Sequence, residues 1–281
     1  MKHDIANTST EDIEIKLLLQ ALYLKYGYDF RNYSTAHLNR RINQRLRLSN
    51  LNTISELQNK VLWDKEFFHL LLKDLSINVT EMFRDPNFYS SFRENVVPDL
   101  KTYAHIKVWN AGCSTGEEVY SLAILLEEEN LLSRTQIYAT DFNKNVLETA
   151  KQGIFSNKDI ELYSRNYSVA GGKGKLSDYY TSKYGSVLFD SSLTKNVVFA
   201  DHNLVTDGVF AEVNLVFCRN VMIYFNKDLQ NKVIRLFTNS LTKRGFLCLG
   251  TKESLRFSKY ESKYHVVDKE MKIYKKIPIS T

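Results

Sequence analysis

A chain of 281 residues, 43% of them hydrophobic and 25% charged with a net charge of +6, is long enough for a large domain and a small one, and it is neither disordered nor fibrous in composition. No apolar run approaches the roughly 18 residues of a membrane span, and the polar start, Met1 to Thr10, does not read as a secretory signal. Cys113, Cys218 and Cys248 are too scattered for a disulfide framework or a CxxC metal site, so the expectation is a reduced, cytoplasmic, metal-free protein without membrane insertion.

Residues 11–75 read as helices. Ile13, Leu17, Leu18, Ala21, Leu22 and Leu24 recur at three- and four-residue steps and are expected on one stripe, with Thr10 as N-cap and Gly27 as stop. Arg40, Arg41, Arg45 and Arg47 crowd a second helix, which carries Ile42, Leu46 and Leu48 on its other side. Such a basic face either meets an acidic partner or is a solvated surface. Leu57, Val61, Leu62, Phe68, Leu70, Leu71, Leu72 and Leu75 extend the helical pattern, and no strand-like run precedes residue 105. The reading is a helical domain over residues 1–77 and a second domain over 78–281.

The pattern then changes. Short apolar runs at Lys107–Ala111, Gln136–Thr140, Asn196–Ala200, Leu215–Cys218, Phe246–Leu249 and Met271–Tyr274 predict strands. Helical spacing over Glu117–Glu129, Asn143–Lys151 and Lys227–Leu241 separates several of them. The alternation predicts an α/β fold, a mostly parallel sheet with helices on both faces. It lapses between Gly153 and Lys195, where Gly171-Gly172-Lys173-Gly174 and several tyrosines mark an insert at about 164–190, either a loop or a small hairpin subdomain.

The chemistry-bearing segments fall at the predicted strand ends. Ala111-Gly112-Cys113-Ser114-Thr115-Gly116-Glu117-Glu118 follows a strand and opens a helix, where open α/β sheets bind nucleotides. It has neither the GxGxxG spacing nor the GK[ST] of a phosphate cradle, and its paired carboxylates suit a cationic or hydroxyl-bearing ligand. Asp141, ending the next strand, is placed to accept hydrogen bonds from ribose hydroxyls, or else to cap the following helix. Asp201-His202-Asn203-Leu204 ends another strand and suits an adenine edge, with His202 read as packed or solvated. Phe217-Cys218-Arg219-Asn220 brings polar groups to the same edge, followed by Tyr224; Cys218 reads as a small buried apolar residue.

Together these segments resemble the CheR-type protein-glutamate O-methyltransferases of bacterial chemotaxis. The resemblance rests on Asn78-Val79-Thr80-Glu81-Met82-Phe83-Arg84, Trp109 through Ser121, Ala139-Thr140-Asp141, Asn203-Leu204, Cys218 to Phe225, and Leu249-Gly250-Thr251-Lys252-Glu253, in the family's order. It implies a Rossmann-like S-adenosylmethionine-dependent methyltransferase sheet behind a small all-α domain, and methyl transfer to glutamate carboxylates of chemoreceptors, leaving S-adenosylhomocysteine. Carried over by position, it implies cofactor contacts from Asn78, Thr80, Arg84, Glu118, Asp141, Asn203, Leu204, Arg219 and Asn220. Arg84 and Tyr224 would be the catalytic pair, and Arg40, Arg41, Arg45 and Arg47 would receive an acidic receptor helix. Met82, Val119 and Lys252 depart from the family's usual residues without removing a chemical group, and the insert differs from that of the enteric members. Two alternatives keep the cofactor: a related carboxyl methyltransferase serving another signalling protein, and a cofactor-binding regulator without turnover. A nucleic-acid methyltransferase is disfavoured, since a polar-Pro-Pro-aromatic motif is missing, and the chain is expected to act as a monomer.

Overall fold

The computed structural model describes residues 9–76 and 79–278. Contacts divide the chain into two units: residues up to 77 together with Tyr224–Gln230, and the remainder.

The first unit carries α1 (Thr10–Tyr26), α2 (Thr35–Leu48), α3 (Ile54–Trp63) and α4 (Lys65–Ser76). The start of α1 is one residue earlier than the sequence suggests: Ser9 is the N-cap, its hydroxyl accepting the Asp12 N–H at 3.1 Å. Gly27 stops the helix in the left-handed region, at φ +78°, and donates its N–H to the Tyr23 carbonyl. The expected stripe is corrected. Ile15, Leu18, Leu19 and Leu22 face the core, while Ile13, Leu17 and Leu24 are exposed on the opposite side. The helix is apolar on two faces, and spacing alone cannot say which one is covered. In α2 the buried residues are Leu38 and Ile42, whereas Leu48 is exposed. Thr53 and Asp64 cap α3 and α4 by accepting the N–H groups of Glu56 and Phe67, and Tyr26 stacks on Phe68 with ring centroids 3.7 Å apart. Residues 224–226 join this unit through an antiparallel bridge between Tyr33 and Phe225.

In the second unit the chain runs through α5 (Pro86–Asn95), α6 (Val97–Leu100), β1 (Ile106–Ala111), α7 (Glu117–Glu128), β2 (Thr135–Asp141) and α8 (Lys144–Gln152). Next come β3 (Ile154–Ser156), α9 (Ile160–Val169), β4 (Tyr180–Lys183), β5 (Ser186–Phe189), β6 (Val197–Asp201) and β7 (Val213–Cys218). Last come α10 (Lys227–Ser240), whose residues up to Gln230 count with the first unit, then β8 (Leu241–Leu249), β9 (Tyr264–Asp268) and β10 (Ile273–Lys276). The main sheet has the order β6-β2-β1-β7-β8-β10-β9. Its first five strands pair in parallel, and β10 and β9 are antiparallel additions. This is the α/β arrangement the alternation predicts. From β1 the chain moves outward to β2 and β6, then returns to the other side of β1 as β7. The order reverses between β1 and β7, which opens a crevice at their carboxyl ends. Every residue of β7 is buried, in keeping with a strand covered on both faces.

The segment expected as a loop or hairpin is a small antiparallel sheet, β3-β5-β4, with α9 in its connection. It begins ten residues before the expected boundary, because Ile154–Ser156 pairs with Ser186–Phe189 across the whole insert. The glycine run after α9 is tied down. Glu128 accepts the Lys173 N–H at 2.8 Å and contacts Tyr167 and Arg93, while Glu129 meets Arg93, Lys101 and Lys173.

Candidate functional site

The site is built from loops that leave the carboxyl ends of β1, β2, β6, β7 and β8. After β1 the chain must turn sharply into α7, and the amides of Gly112 and Cys113 both donate to the Thr140 carbonyl, at 2.8 and 2.9 Å. Gly112 adopts φ +79°, and a Cβ there would lie 2.6 Å from a methyl of Val221, so the close approach of the β7 loop requires glycine. Ser114 also takes a left-handed conformation, at φ +50°.

Asp141 organises this turn. One carboxylate oxygen accepts the Ser114 N–H at 3.0 Å and the other the Asn143 N–H at 2.9 Å. The cap of α8 is Asn143, not Asp141. Burial pushes the Asp141 carboxyl up to about 6, with Asp201 adding repulsion, while the backbone N–H bonds pull the other way.

At the reversal point of the sheet, Arg219 leaves β7 with its side chain only 1% exposed. It donates to Glu118 at 2.9 Å, to Asp85 at 3.0 Å and to the Arg84 carbonyl at 2.8 Å. Its guanidinium lies 4.1 Å above the Phe88 ring. Asn110 holds the other oxygen of Glu118 at 2.8 Å. Arg219 thus links the turn before α5, the start of α7 and the end of β7. The side chain of Arg84 donates to the Val79 carbonyl at 3.0 Å.

Glu253 shapes the next loop. Its carboxylate, 5% exposed, accepts the N–H groups of Gly250, Asn220, Val221 and Ile223 at 2.6 to 3.2 Å. Burial pushes this carboxyl up against the opposing pull of those amides. His202 is packed, as its sequence context suggests, with Trp109 and Phe210 at 5.1 and 5.3 Å and its Nε2 3.1 Å from the Gly208 carbonyl. Asn203 turns its side chain onto its own loop, accepting the Val205 N–H at 2.9 Å, and Leu204 is buried.

Of the residues singled out in the sequence, Arg84, Glu118 and Arg219 share one bonded network, and Asp141 and Asn220 stand at the carboxyl ends of β2 and β7, on either side of β1. Thr80 lies in the coil leading to this network, and Asn78 lies outside the described residues. Tyr224 and the four arginines belong to the first unit. Sequence reasoning missed Asn110, Asp85 and the role of Glu253. The signal for Asn110 was an amide directly after Val108-Trp109 near the end of a predicted strand.

The acceptor set fits a ligand that carries hydroxyls and positive charge. Glu118 and Asp141 flank the glycine turn, and two buried acceptors beside them, Asn110 Oδ1 and Ser114 Oγ, have no protein partner. A nucleoside with an amino-acid tail and a sulfonium supplies such donors and charge, whereas a phosphate would be repelled. Cys113 and Cys218 are buried, and burial pushes their thiols well up, which disfavours the thiolate. Among the described residues no cluster of His, Cys, Asp and Glu is arranged to hold a metal, and no helix is long and apolar enough to cross a membrane.

Comparison with known proteins agrees. Residues 78–273 match the family profile described as CheR methyltransferase, SAM binding domain, and residues 13–76 match CheR methyltransferase, all-alpha domain. A Pseudomonas putida protein named "Putative methyltransferase Cher3" is 56% identical over 94% of this chain and 97% of its own length. Proteins named "Chemotaxis protein methyltransferase" from Borreliella burgdorferi and Salmonella typhimurium are each 27% identical, over 88% and 86% of the chain and 89% and 84% of their own lengths.

Proposed function

Because the chain belongs to the CheR methyltransferase family, with a Rossmann-like fold and S-adenosylmethionine as its cofactor, we propose that it esterifies glutamate side chains on the cytoplasmic helices of chemoreceptors. The observation that carries this reading is the character of the crevice: carboxylates and orphaned acceptors around a glycine turn, with the nearby thiols and His202 buried out of chemical use.

A carboxylate acceptor suits such a site. A free glutamate titrates near ~4.3, so at neutral pH it is already a nucleophile and needs no general base. The cofactor, when bound, supplies a methyl on a positively charged sulfur, and the displacement must be in line. The task of this chain is alignment in a water-poor site, which can contribute roughly 7–11 kcal/mol. Asp141 would accept the ribose hydroxyls. Glu118, held by Asn110 and Arg219, would face the amino-acid end, and Asn203, Leu204 and Asn220 would line the nucleoside. Thr80 and Asn78 would contribute further cofactor contacts. Arg84 would hold the cofactor and steer the incoming carboxylate by charge-assisted hydrogen bonds. Tyr224, four residues beyond Asn220, would orient the methyl or the acceptor oxygen. The arginines of α2 would guide the acidic helix, and the protein would act in the cytoplasm as a monomer.

The test is transfer of label from methyl-labelled S-adenosylmethionine to receptor cytoplasmic fragments, followed by mild base. Release of labelled methanol is the expected result, and absence of transfer with tight cofactor binding would sink the proposed acceptor. Arg84→Ala and Tyr224→Phe are expected to lower turnover at least tenfold while cofactor binding persists; unchanged rates would remove these roles.

A further inference from the structure

We propose that His37, in the first turn of α2, is a positioning residue for Tyr224, and that the helical unit sets the orientation of this tyrosine. The inference rests on the role given to Tyr224 above and names the device that aligns it.

The main chain after β7 changes partners at one point. Glu253 accepts N–H groups as far as Ile223. Beyond it, two backbone bonds reach the segment before α2. The Tyr224 carbonyl accepts the Ser34 N–H at 2.7 Å, and the Asn226 N–H donates to the Asn32 carbonyl at 3.0 Å. Between these two bonds sits the Tyr33–Phe225 bridge, its rings edge to face with centroids 4.9 Å apart. Phe30 packs on Tyr33 in the same manner at 5.0 Å. This clasp defines where the Tyr224 backbone lies and in which direction it runs.

Backbone bonds do not choose a ring orientation. His37 acts on that orientation: its imidazole meets the Tyr224 ring at a centroid distance of 5.3 Å and an interplanar angle of 87°. An edge-to-face pair of this kind biases a rotamer by roughly two- to tenfold. Both rings are half-buried, so the contact is not enforced by a closed core around them. The placement of His37 gives it a second meaning. It stands one turn ahead of Arg40 and Arg41, on the helix proposed to receive the acceptor, and Ser34, the N-cap of that helix, donates its N–H to Tyr224 rather than capping with its side chain. One helix therefore holds both the docking charges and the tyrosine.

The experiment uses the full chain with His37→Ala, His37→Gln and His37→Phe. Methyl transfer from labelled S-adenosylmethionine to a receptor fragment should show kcat reduced about three- to tenfold in His37→Ala and His37→Gln, with KM for the cofactor unchanged. His37→Phe, which restores a ring, should recover most of the rate. A second readout does not depend on turnover. With 3-fluorotyrosine in place of the 17 tyrosines, the ¹⁹F resonance assigned through Tyr224→Phe should move in His37→Ala and His37→Gln and return toward its native position in His37→Phe. An unmoved resonance overturns the proposal, and so does a kcat loss that His37→Phe fails to repair. If the native protein transfers no methyl to receptor fragments, the acceptor assignment fails, and the resonance alone decides whether His37 orients Tyr224.

Discussion

Asp141 combines a buried carboxylate with bonds from backbone N–H groups, and its carboxyl rises from 3.8 to about 6. The sign of its linkage follows. The folded chain holds this proton more tightly than the unfolded one, so the group favours folding at low pH and costs stability as pH rises from about 4 to 6. In the role proposed for Asp141, cofactor binding runs the other way, since an ionised carboxylate is the stronger acceptor for ribose hydroxyls. The Kd of S-adenosylmethionine, measured calorimetrically, is expected to rise as pH falls below 6, by up to about tenfold per pH unit. Asp141→Asn should bind weakly at every pH and lose that dependence. Glu253 is a different kind of residue, an acid that serves as a hub for four amides of the β7 and β8 loops. Glu253→Gln replaces one accepting oxygen by a donor facing N–H groups. It should cost about 1–3 kcal/mol in denaturant unfolding and loosen exchange protection at Asn220 to Ile223.

At the scale of elements, α1 shows how a correct period can still leave the core face undecided. Its apolar residues occupy two opposite sides, and only packing against α3 picks Ile15, Leu18, Leu19 and Leu22. In α2 the four arginines are not equivalent. Arg45 is committed to Asp74 at 2.5 Å, whereas Arg40 and Arg47 are exposed. Reversing Arg40 and Arg47 to Glu should slow methylation of a receptor fragment and flatten its dependence on ionic strength without altering the fold. Arg45→Glu would confuse that test by placing like charges together. The glycine-rich stretch after α9 is held by the acids that end α7. Burial pushes Glu129 up, but bonds from Lys173, Lys101 and Arg93 overcome it and hold its carboxyl down at about 2. Its stabilising effect is complete above the ordinary carboxylate range near 4.5 and fades as pH falls toward 2. Glu128→Ala would leave Arg93 and Tyr167 short of a buried partner. A loss of about 3 kcal/mol is expected, with early proteolysis at Gly171–Gly174.

For the whole molecule, the loops of five parallel strands meet at one sheet edge, so a ligand held there should stabilise that edge as a group. S-adenosylhomocysteine at a hundred times its Kd should add about 2.7 kcal/mol to the stability of the unit that binds it. Hydrogen exchange should then slow together at Gly112–Glu118, Asp141–Asn143 and Arg219–Ile223; protection confined to one loop would contradict a shared site. Much of this arrangement was legible in the sequence. Alternating apolar runs and helical spacings predict six strands of the main sheet but not β9, and with them the helical first unit and the glycine turn with its acids, because each depends on local backbone preference and on burial of one face. The resemblance carried by the short motifs added the family, since their order encodes loops that converge on one edge. Tertiary structure decided the rest. Which side of α1 is covered, that Asn110 and Asp85 complete the Glu118–Arg219 network, that Glu253 gathers four amides, and that residues 224–226 are bound to residues 32–34 all depend on partners far away along the chain. Such contacts leave no periodic trace, because a single hydrogen bond or ring contact constrains one residue and not a repeating face.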